Sequence, residues 1–285
     1  MHEEKILDGK MLATEVLAKV ELDVLNLKKG GVFPKLVVIL VGENARSEVY
    51  IRQKVKSATA VGIDCEVRRI AENVTTEEML RLIEKINLDD KIHGVIVQVP
   101  LPAQLNQDLI FEALSTRKDV DGFSPLNFGK MAKNSGNYFV PCTPLGILKF
   151  LEKYEIDVAG KDVVIVGKSN IAGKPMALLL AEKGATVTLC HSQTKDLKSY
   201  TQRAEILVVA VGRPRFITEE MVQKGVIVFD IGINDLGDGT ICGDVDFENV
   251  ILKASRITPV PGGCGRMTVA SLMNNVIQAC KWISM

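Results

Sequence analysis

Tyr50 and Lys54 stand four residues apart, a spacing that puts both on one face of a helix. Ser47 and Ser57 extend that stripe, and Ile51, Val55 and Ala58 form an apolar stripe beside it. A lysine beside an apolar wall can exchange a proton near neutral pH, and a phenol one turn away can orient it. The same pattern describes a half-exposed helix whose lysine lays its stem along the surface. Gln98 is a polar residue set in the apolar run Val95, Ile96, Val97, Val99, which Pro100 and Pro102 then stop. A buried amide must find partners, so Gln98 either faces a site or caps a loop. Asp119 and Asp121 flank Val120 before Gly122. D-x-D-G also opens a calcium loop, but the later ligands of an EF-hand are missing. A substrate-binding carboxylate and a plain Asp-Gly turn remain open.

A second group of residues suits a dinucleotide. The apolar run VVIV ends at Val166 and leads into GKSNIAGKP at 167–175. Strand, glycine turn and helix in this order bind a pyrophosphate at the helix amino terminus. The glycines are Gly167 and Gly173, with Ser169 where the usual second glycine would stand, so an ordinary βα turn is the competing reading. The next strand runs into His191-Ser192-Gln193-Thr194-Lys195, with no carboxylate to hold ribose hydroxyls. Hydroxyl, imidazole and lysine, with Lys168 nearby, would welcome a 2′-phosphate, which predicts NADP over NAD. Gly212 and Ile233 follow two further strands, where a ligand can approach the backbone.

The elements that would carry these residues alternate along the chain. Strands are expected at 36–41, 65–70, 94–99, 162–166, 186–190, 206–211 and 226–230. Helices are expected at 47–61, 76–86, 105–114, 175–183, 219–223 and 268–282. This alternation predicts parallel α/β architecture. A turn-rich connection at 119–144 separates two groups of strands, which predicts two α/β units with a cleft between them.

Composition narrows the function. The 285 residues are 47% hydrophobic and 25% charged, ordinary values for a globular enzyme. Acidic and basic residues balance at 35 each, which argues against a broad nucleic-acid footprint. No apolar stretch reaches the ~18 residues needed to span a bilayer. The amino terminus, MHEEKILDGK, does not resemble a secretory signal. The six cysteines form no C-x-x-C pair and read as reduced thiols of a cytoplasmic protein. No His/Cys cluster has metal-ligand spacing, so no metal is expected.

Taken together, YIRQKVKSATAVGI at 50–63, VQVPLP at 97–102, KDVDGFSP at 118–125, PCTPLGI at 141–147, GKSNIAGKP at 167–175 and TPVPGG at 258–263 resemble the bifunctional methylenetetrahydrofolate dehydrogenase/cyclohydrolase family. Each piece alone is weak; their order and their span of almost the whole chain are specific. The resemblance implies a folate-binding catalytic domain over 1–140, joined by the helix at 268–285, and a Rossmann-type NADP-binding domain over 141–267. It implies NADP-dependent oxidation of 5,10-methylenetetrahydrofolate to the methenyl cation, then hydrolysis to 10-formyltetrahydrofolate. In that reading Lys54 is the active-site lysine, Tyr50 its partner, Gln98 its hydrogen-bonding amide and Asp121 the pterin-binding acid. Val99, Pro100 and the Pro261-Gly262-Gly263 loop would contact folate. Gly167, Lys168, Ser169, Gly173, His191, Ser192, Gly212 and Ile233 would hold NADP. A homodimer through the Rossmann-type domain is also implied. Two residues depart from the family pattern. Lys168 stands where an arginine is common, which removes a bidentate fork. Gly262-Gly263-Cys264-Gly265-Arg266 replaces the common GGVGP, and Arg266 would either contact the glutamate tail of folate or face solvent, the second being favoured.

Overall fold

The computed structural model describes residues 2–283, the side chains of residues 45 and 46 excepted. In chain order the helices are α1 (Gly9–Lys29), α2 (Ala45–Ala60), α3 (Thr76–Leu88), α4 (Gln107–Glu112), α5 (Pro125–Ala132), α6 (Cys142–Lys153), α7 (Gly173–Glu182), α8 (Leu197–Thr201), α9 (Phe247–Lys253) and α10 (Cys264–Ile283). The strands are β1 (Lys35–Val41), β2 (Asp64–Ile70), β3 (Gly94–Val97), β4 (Asp162–Val166), β5 (Thr186–Cys190), β6 (Ile206–Val209), β7 (Ile227–Asp230), β8 (Asn234–Asp235), β9 (Ile241–Cys242) and β10 (Arg256–Ile257). The chain divides into two compact units, Thr14–Cys142 with Val269–Met285, and Met1–Ala13 with Thr143–Thr268. Both are α/β, as the alternating pattern predicts.

The first unit holds a parallel sheet of order β2-β1-β3. Successive side chains of a strand point to opposite faces. Leu36, Val38 and Leu40 of β1 therefore pack with Ile51 and Ala58 of α2 and with Met273 and Ile277 of α10. Val37, Ile39 and Val41 pack with Met79, Ile83 and Ile86 of α3. Coverage of both faces explains the unbroken apolar run KLVVILV. The start of α2 is set by Asn44, whose side chain accepts from the Ser47 amide at 3.0 Å. That cap places Tyr50 and Lys54 on the second and third turns.

The second unit holds five parallel strands in the order β10-β7-β6-β4-β5. Val164, Val166, Leu207, Val209, Val228 and Ile257 line one buried face. The opposite face receives Phe150 of α6 against Phe229 of β7, ring centroids 6.0 Å apart. Among the described residues no helix is long and apolar enough to cross a membrane.

Several expectations need correction. The strand expected over 94–99 ends at Val97; Gln98 still donates its amide to Ile39 at 2.9 Å before the chain turns at Val99-Pro100. The strands expected to 211 and from 226 are shorter, ending at Val209 and starting at Ile227. The helix expected over 219–223 is a single 3-10 turn, Glu219–Met221. The helix expected over 105–114 is shortened to α4, because Asn106 caps it by accepting from the Leu109 amide. The connection 119–144 is not merely turns, since it contains α5 and the start of α6. Pro125 and Pro144 sit in first turns, where a missing N–H costs nothing. Helix α1 was not anticipated, because Met11, Leu22 and Leu25 interrupt its polar face. By contact, residues 2–13 pack with the second unit. Ile6 bridges to Ile257, and the Lys5 ammonium donates to the Ile251 carbonyl at 2.9 Å.

Candidate active site

In the first unit, three of the singled-out side chains converge at the carboxyl ends of parallel strands. Lys54 comes from α2, Gln98 directly follows β3, and Asp121 lies just past a parallel bridge from Asp119 to Val95 of β3. The Lys54 ammonium donates to Gln98 Oε1 at 3.1 Å and lies 3.9 Å from Asp121 Oδ2. Gln98 Nε2 donates to the Val99 carbonyl at 2.8 Å, which orients its oxygen toward the lysine. Both charged side chains are 12% exposed, so they are shielded from bulk water yet reachable. Tyr50 lies one turn before Lys54 at 36% exposure, and Pro100 is exposed beyond Val99. Gln98 is thus neither core nor a loop cap: its amide bridges the strand end and the lysine.

The turn that presents Asp121 is built from buried polar groups. Asp119 accepts from the Phe123 amide at 3.1 Å, the Ser124 amide at 2.8 Å and Asn127 Nδ2 at 2.8 Å. Burial pushes its carboxyl up to about 6, against the opposing pull of these donors. Gly122 has φ +72°, and a Cβ there would stand 2.8 Å from the Phe139 carbonyl oxygen. Asn275 of α10 donates to the Val120 carbonyl at 2.9 Å and the Val140 carbonyl at 3.1 Å. Cys142 is fully buried beside this turn, and burial first, then the Asp121 charge, pushes its thiol well up. Sequence reasoning missed Asn275. Its spacing from Asp121 carries no periodicity, though an asparagine amid the apolar residues of α10 is itself a hint.

In the second unit, β4 leads through Gly167 into α7, as the dinucleotide reading requires. Gly167 has φ +120°. A Cβ on Gly173 would overlap the Gly167 carbonyl oxygen, so turn and helix pack backbone to backbone. Ala172 caps α7 without a side-chain hydrogen bond, and no acidic residue stands in its first turn. The Lys174 amide already donates to the Ser169 carbonyl at 3.1 Å and Pro175 has no N–H, so the pyrophosphate reading rests on the close glycine turn rather than on a row of free helix donors. Ser169 Oγ accepts from the Ala172 amide at 3.2 Å, and Lys168 is exposed. Beyond β5, His191 Nδ1 accepts from the Gln193 amide at 3.2 Å, leaving Nε2 as the donor of the neutral ring. Ser192 and Lys195 are exposed. Gly212, exposed after β6, has φ +65°, and a Cβ there would meet nothing within 4 Å. Ile233 is 39% exposed after β7. The residues present therefore fit a dinucleotide.

The Pro261-Gly262-Gly263 loop also belongs to the second unit. Gly262 has φ +113°, and a Cβ on Gly9 would overlap the Gly263 carbonyl oxygen, so the loop lies against the start of α1. Arg266 is exposed on the first turn of α10, which begins at Cys264 rather than the expected Thr268. Burial pushes the Cys264 thiol up to about 12.

Comparison with known proteins matches the tetrahydrofolate dehydrogenase/cyclohydrolase catalytic domain at residues 7–121 and the NAD(P)-binding domain of the same family at residues 141–284. The bifunctional protein FolD of a Sulfurihydrogenibium species is 51% identical over 278 residues, 97% of each chain. The crystal structure of the bifunctional FolD dehydrogenase/cyclohydrolase from Campylobacter jejuni superposes with a TM-score of 0.95 at 47% identity, covering 97% of this chain and 98% of that one. The chain belongs to the tetrahydrofolate dehydrogenase/cyclohydrolase family. It is a bifunctional methylenetetrahydrofolate dehydrogenase and methenyltetrahydrofolate cyclohydrolase with an NAD(P)-binding domain. A second family structure, from Trypanosoma brucei, is complexed with NADP and an inhibitor; it has a TM-score of 0.93 at 32% identity and covers 97% of each chain. Within this enzyme, Lys54, Gln98 and Asp121 form one group in the catalytic unit. The candidate dinucleotide residues and the Pro261–Gly263 loop are all in the other.

Proposed function

We propose that Lys54 carries the proton chemistry of both activities, with NADP as the preferred cofactor. The observation that carries this reading is the Lys54–Gln98–Asp121 group: one lysine held between an amide oxygen and a carboxylate, largely shielded from water. When bound, NADP accepts the hydride lost by the methylene carbon. The oxidised folate is a cation, so the site must not surround it with fixed positive charge. Asp121 accepts hydrogen bonds from the amino-pyrimidine edge of the pterin, and this draws the carboxylate away from its ion pair with Lys54. Gln98 keeps the amine in place through its Oε1. Hydrolysis adds a water oxygen to the methenyl carbon, releases one proton and opens the ring at a carbon–nitrogen bond. Acting as the neutral amine, Lys54 takes the proton from water, and as the ammonium so formed it returns one to the departing nitrogen. Tyr50, one turn away, lines the same face, and Val99, Pro100 and the Pro261–Gly263 loop contact the folate.

For the cofactor, Gly167, Ser169 and Gly173 cradle the pyrophosphate at the start of α7, and Gly212 and Ile233 flank the nicotinamide half. His191, Ser192 and Lys168 take the 2′-phosphate. The absence of a carboxylate between 191 and 195 supports NADP over NAD. The working form is a cytoplasmic homodimer joined through the dinucleotide-binding domain.

Mixing purified protein with methylenetetrahydrofolate and either cofactor tests this directly, with reduced cofactor and methenyl product followed separately. Reduced NADP should rise while methenyl stays low, because hydrolysis consumes it. Equal affinity for NADP and NAD would sink the 2′-phosphate argument. Sedimentation showing an active monomer would remove the dimer.

A further inference from the structure

We propose that Asp244 is the positioning residue that fixes the dinucleotide-facing wall, by tying the loop after β6 to the loop after β7. This rests on the reading that Gly212 and Ile233 face the cofactor. Asp244 follows β9 and is fully buried, whereas Gly212, Arg213 and Ile233 are exposed. Its Oδ2 accepts from the Val211 amide at 2.6 Å and the Gly212 amide at 2.9 Å. Its Oδ1 accepts from the Arg213 amide at 2.8 Å and Asn234 Nδ2 at 2.8 Å. A carboxylate has four acceptor sites, and here all four are used. Three successive backbone N–H groups from one loop and a side chain from the other converge on one buried anion. These donors replace water around the carboxylate, so it supports the wall from behind.

Asp244 is itself held from both sides. Its amide donates to Asp230 Oδ1 at 3.0 Å, and that oxygen also accepts from the Gly232 amide at 2.9 Å. Asp230 Oδ2 accepts from the Val245 amide at 2.9 Å. The Asp244 carbonyl accepts from the Ile217 amide at 2.9 Å. Two glycines make this nesting possible. A Cβ on Gly232 would overlap the Asp244 carboxylate, and a Cβ on Gly243 would overlap Asp230 Oδ2. Short hydrogen bonds and glycine contacts thus connect Asp230, Asp244 and both strand-end loops into one unit whose exposed rim is the proposed cofactor wall.

The test uses Asp244→Asn in the full chain. An amide at this position confronts N–H donors with an NH2 group, so two of the four bonds are lost while the size is kept. NADP dissociation constant and KM should rise about tenfold or more, with the KM for the folate substrate moving by less than about twofold. Asn234→Ala leaves the three backbone bonds intact and should weaken NADP in the same direction by about two- to fivefold. Unchanged NADP affinity in both variants overturns the proposal. So does loss of both activities with KM values unchanged, which marks a merely structural role. If Asp244→Asn does not fold, Asn234→Ala decides, and unaltered NADP binding then refutes the tie. Gly212→Asn separates the underlying reading, since asparagine tolerates the positive φ and fills the open space beside the loop. Unchanged NADP binding there would sink the reading that this wall faces the cofactor, and the proposal with it. Weakened binding there but not in the Asp244 and Asn234 variants would sink the proposal alone.

Discussion

Replacing Lys54 with methionine removes the ammonium but keeps an unbranched side chain to pack beside Ile51 and Val55. Two partners lose their donor: Gln98 Oε1 at 3.1 Å and Asp121 at 3.9 Å. A charge pair at about 4 Å in an effective dielectric near 20 attracts by ~4 kcal/mol, most of it offset by desolvation. Because both side chains are only 12% exposed, removing one partner should cost roughly 1–3 kcal/mol, between the values for exposed and buried pairs, and the variant should still fold. The kinetic loss should be much larger. General acid–base catalysis contributes ~10²–10⁴-fold, or ~3–5 kcal/mol of barrier. Hydrolysis of added methenyltetrahydrofolate, followed by its disappearance without NADP, should therefore fall by at least about a hundredfold. Hydride transfer depends chiefly on positioning and should fall less, so methenyl should accumulate during the coupled reaction. Lys54→Arg separates charge from proton transfer, because a guanidinium keeps the charge but does not give up its proton at any working pH. If arginine restores hydrolysis, Lys54 acts by charge alone. If methionine leaves hydrolysis intact, the proton-transfer role is wrong altogether.

Other outcomes follow from the same structure. Gly173→Ala forces a Cβ onto the Gly167 carbonyl, so α7 must move from the glycine turn; NADP affinity should fall by about tenfold or more in equilibrium titration, and an unaltered affinity would remove this turn from the cofactor site. Burial holds Asp119 up at about 6 and Asp230 up at about 7, so the folded chain keeps protons that the unfolded chain releases near pH 4. Their contribution to stability is therefore fully present below about pH 4 and lost as pH rises toward 7, at ~1.4 kcal/mol per pH unit for each group within its window. Asp119→Asn abolishes one of these titrations, so its stability relative to wild type, from urea unfolding, should rise between pH 4 and 6; a difference that is flat or falls contradicts the assigned burial effect.

Much of the fold was legible because apolar runs and their spacing are local. The strands at 162–166 and 186–190 match the expected limits: the first is a buried apolar run, and the second, an edge strand, is marked by its β-branched residues. Ends were less legible where a tertiary partner decides them. Gln98 stays in hydrogen-bond register only because Ile39 stands beside it. Helix α6 was hidden because proline and glycine in CTPLG resemble a loop. Pro144 is tolerated in the first turn, and Gly146 is needed where a Cβ would come within 2.9 Å of Met267. Asp230 and Asp244 were invisible as a pair, for nothing in their spacing says that two acids fourteen residues apart share one network.

The sequence by itself determined the family, the α/β class and the residue types available for chemistry, because motifs and hydrophobic runs survive without coordinates. It also placed Tyr50 and Lys54 on one helix face, since helical geometry is local. Only the tertiary structure decided which of these residues meet. Lys54, Gln98 and Asp121 come from a helix, a strand end and a turn, and parallel pairing of β1 with β3 brings them together. The same structure gave Asp119, Asn275 and Asp244 their roles. Each is a buried polar group whose meaning lies in its donors and acceptors, and those partners are distant along the chain or unmarked by any local pattern.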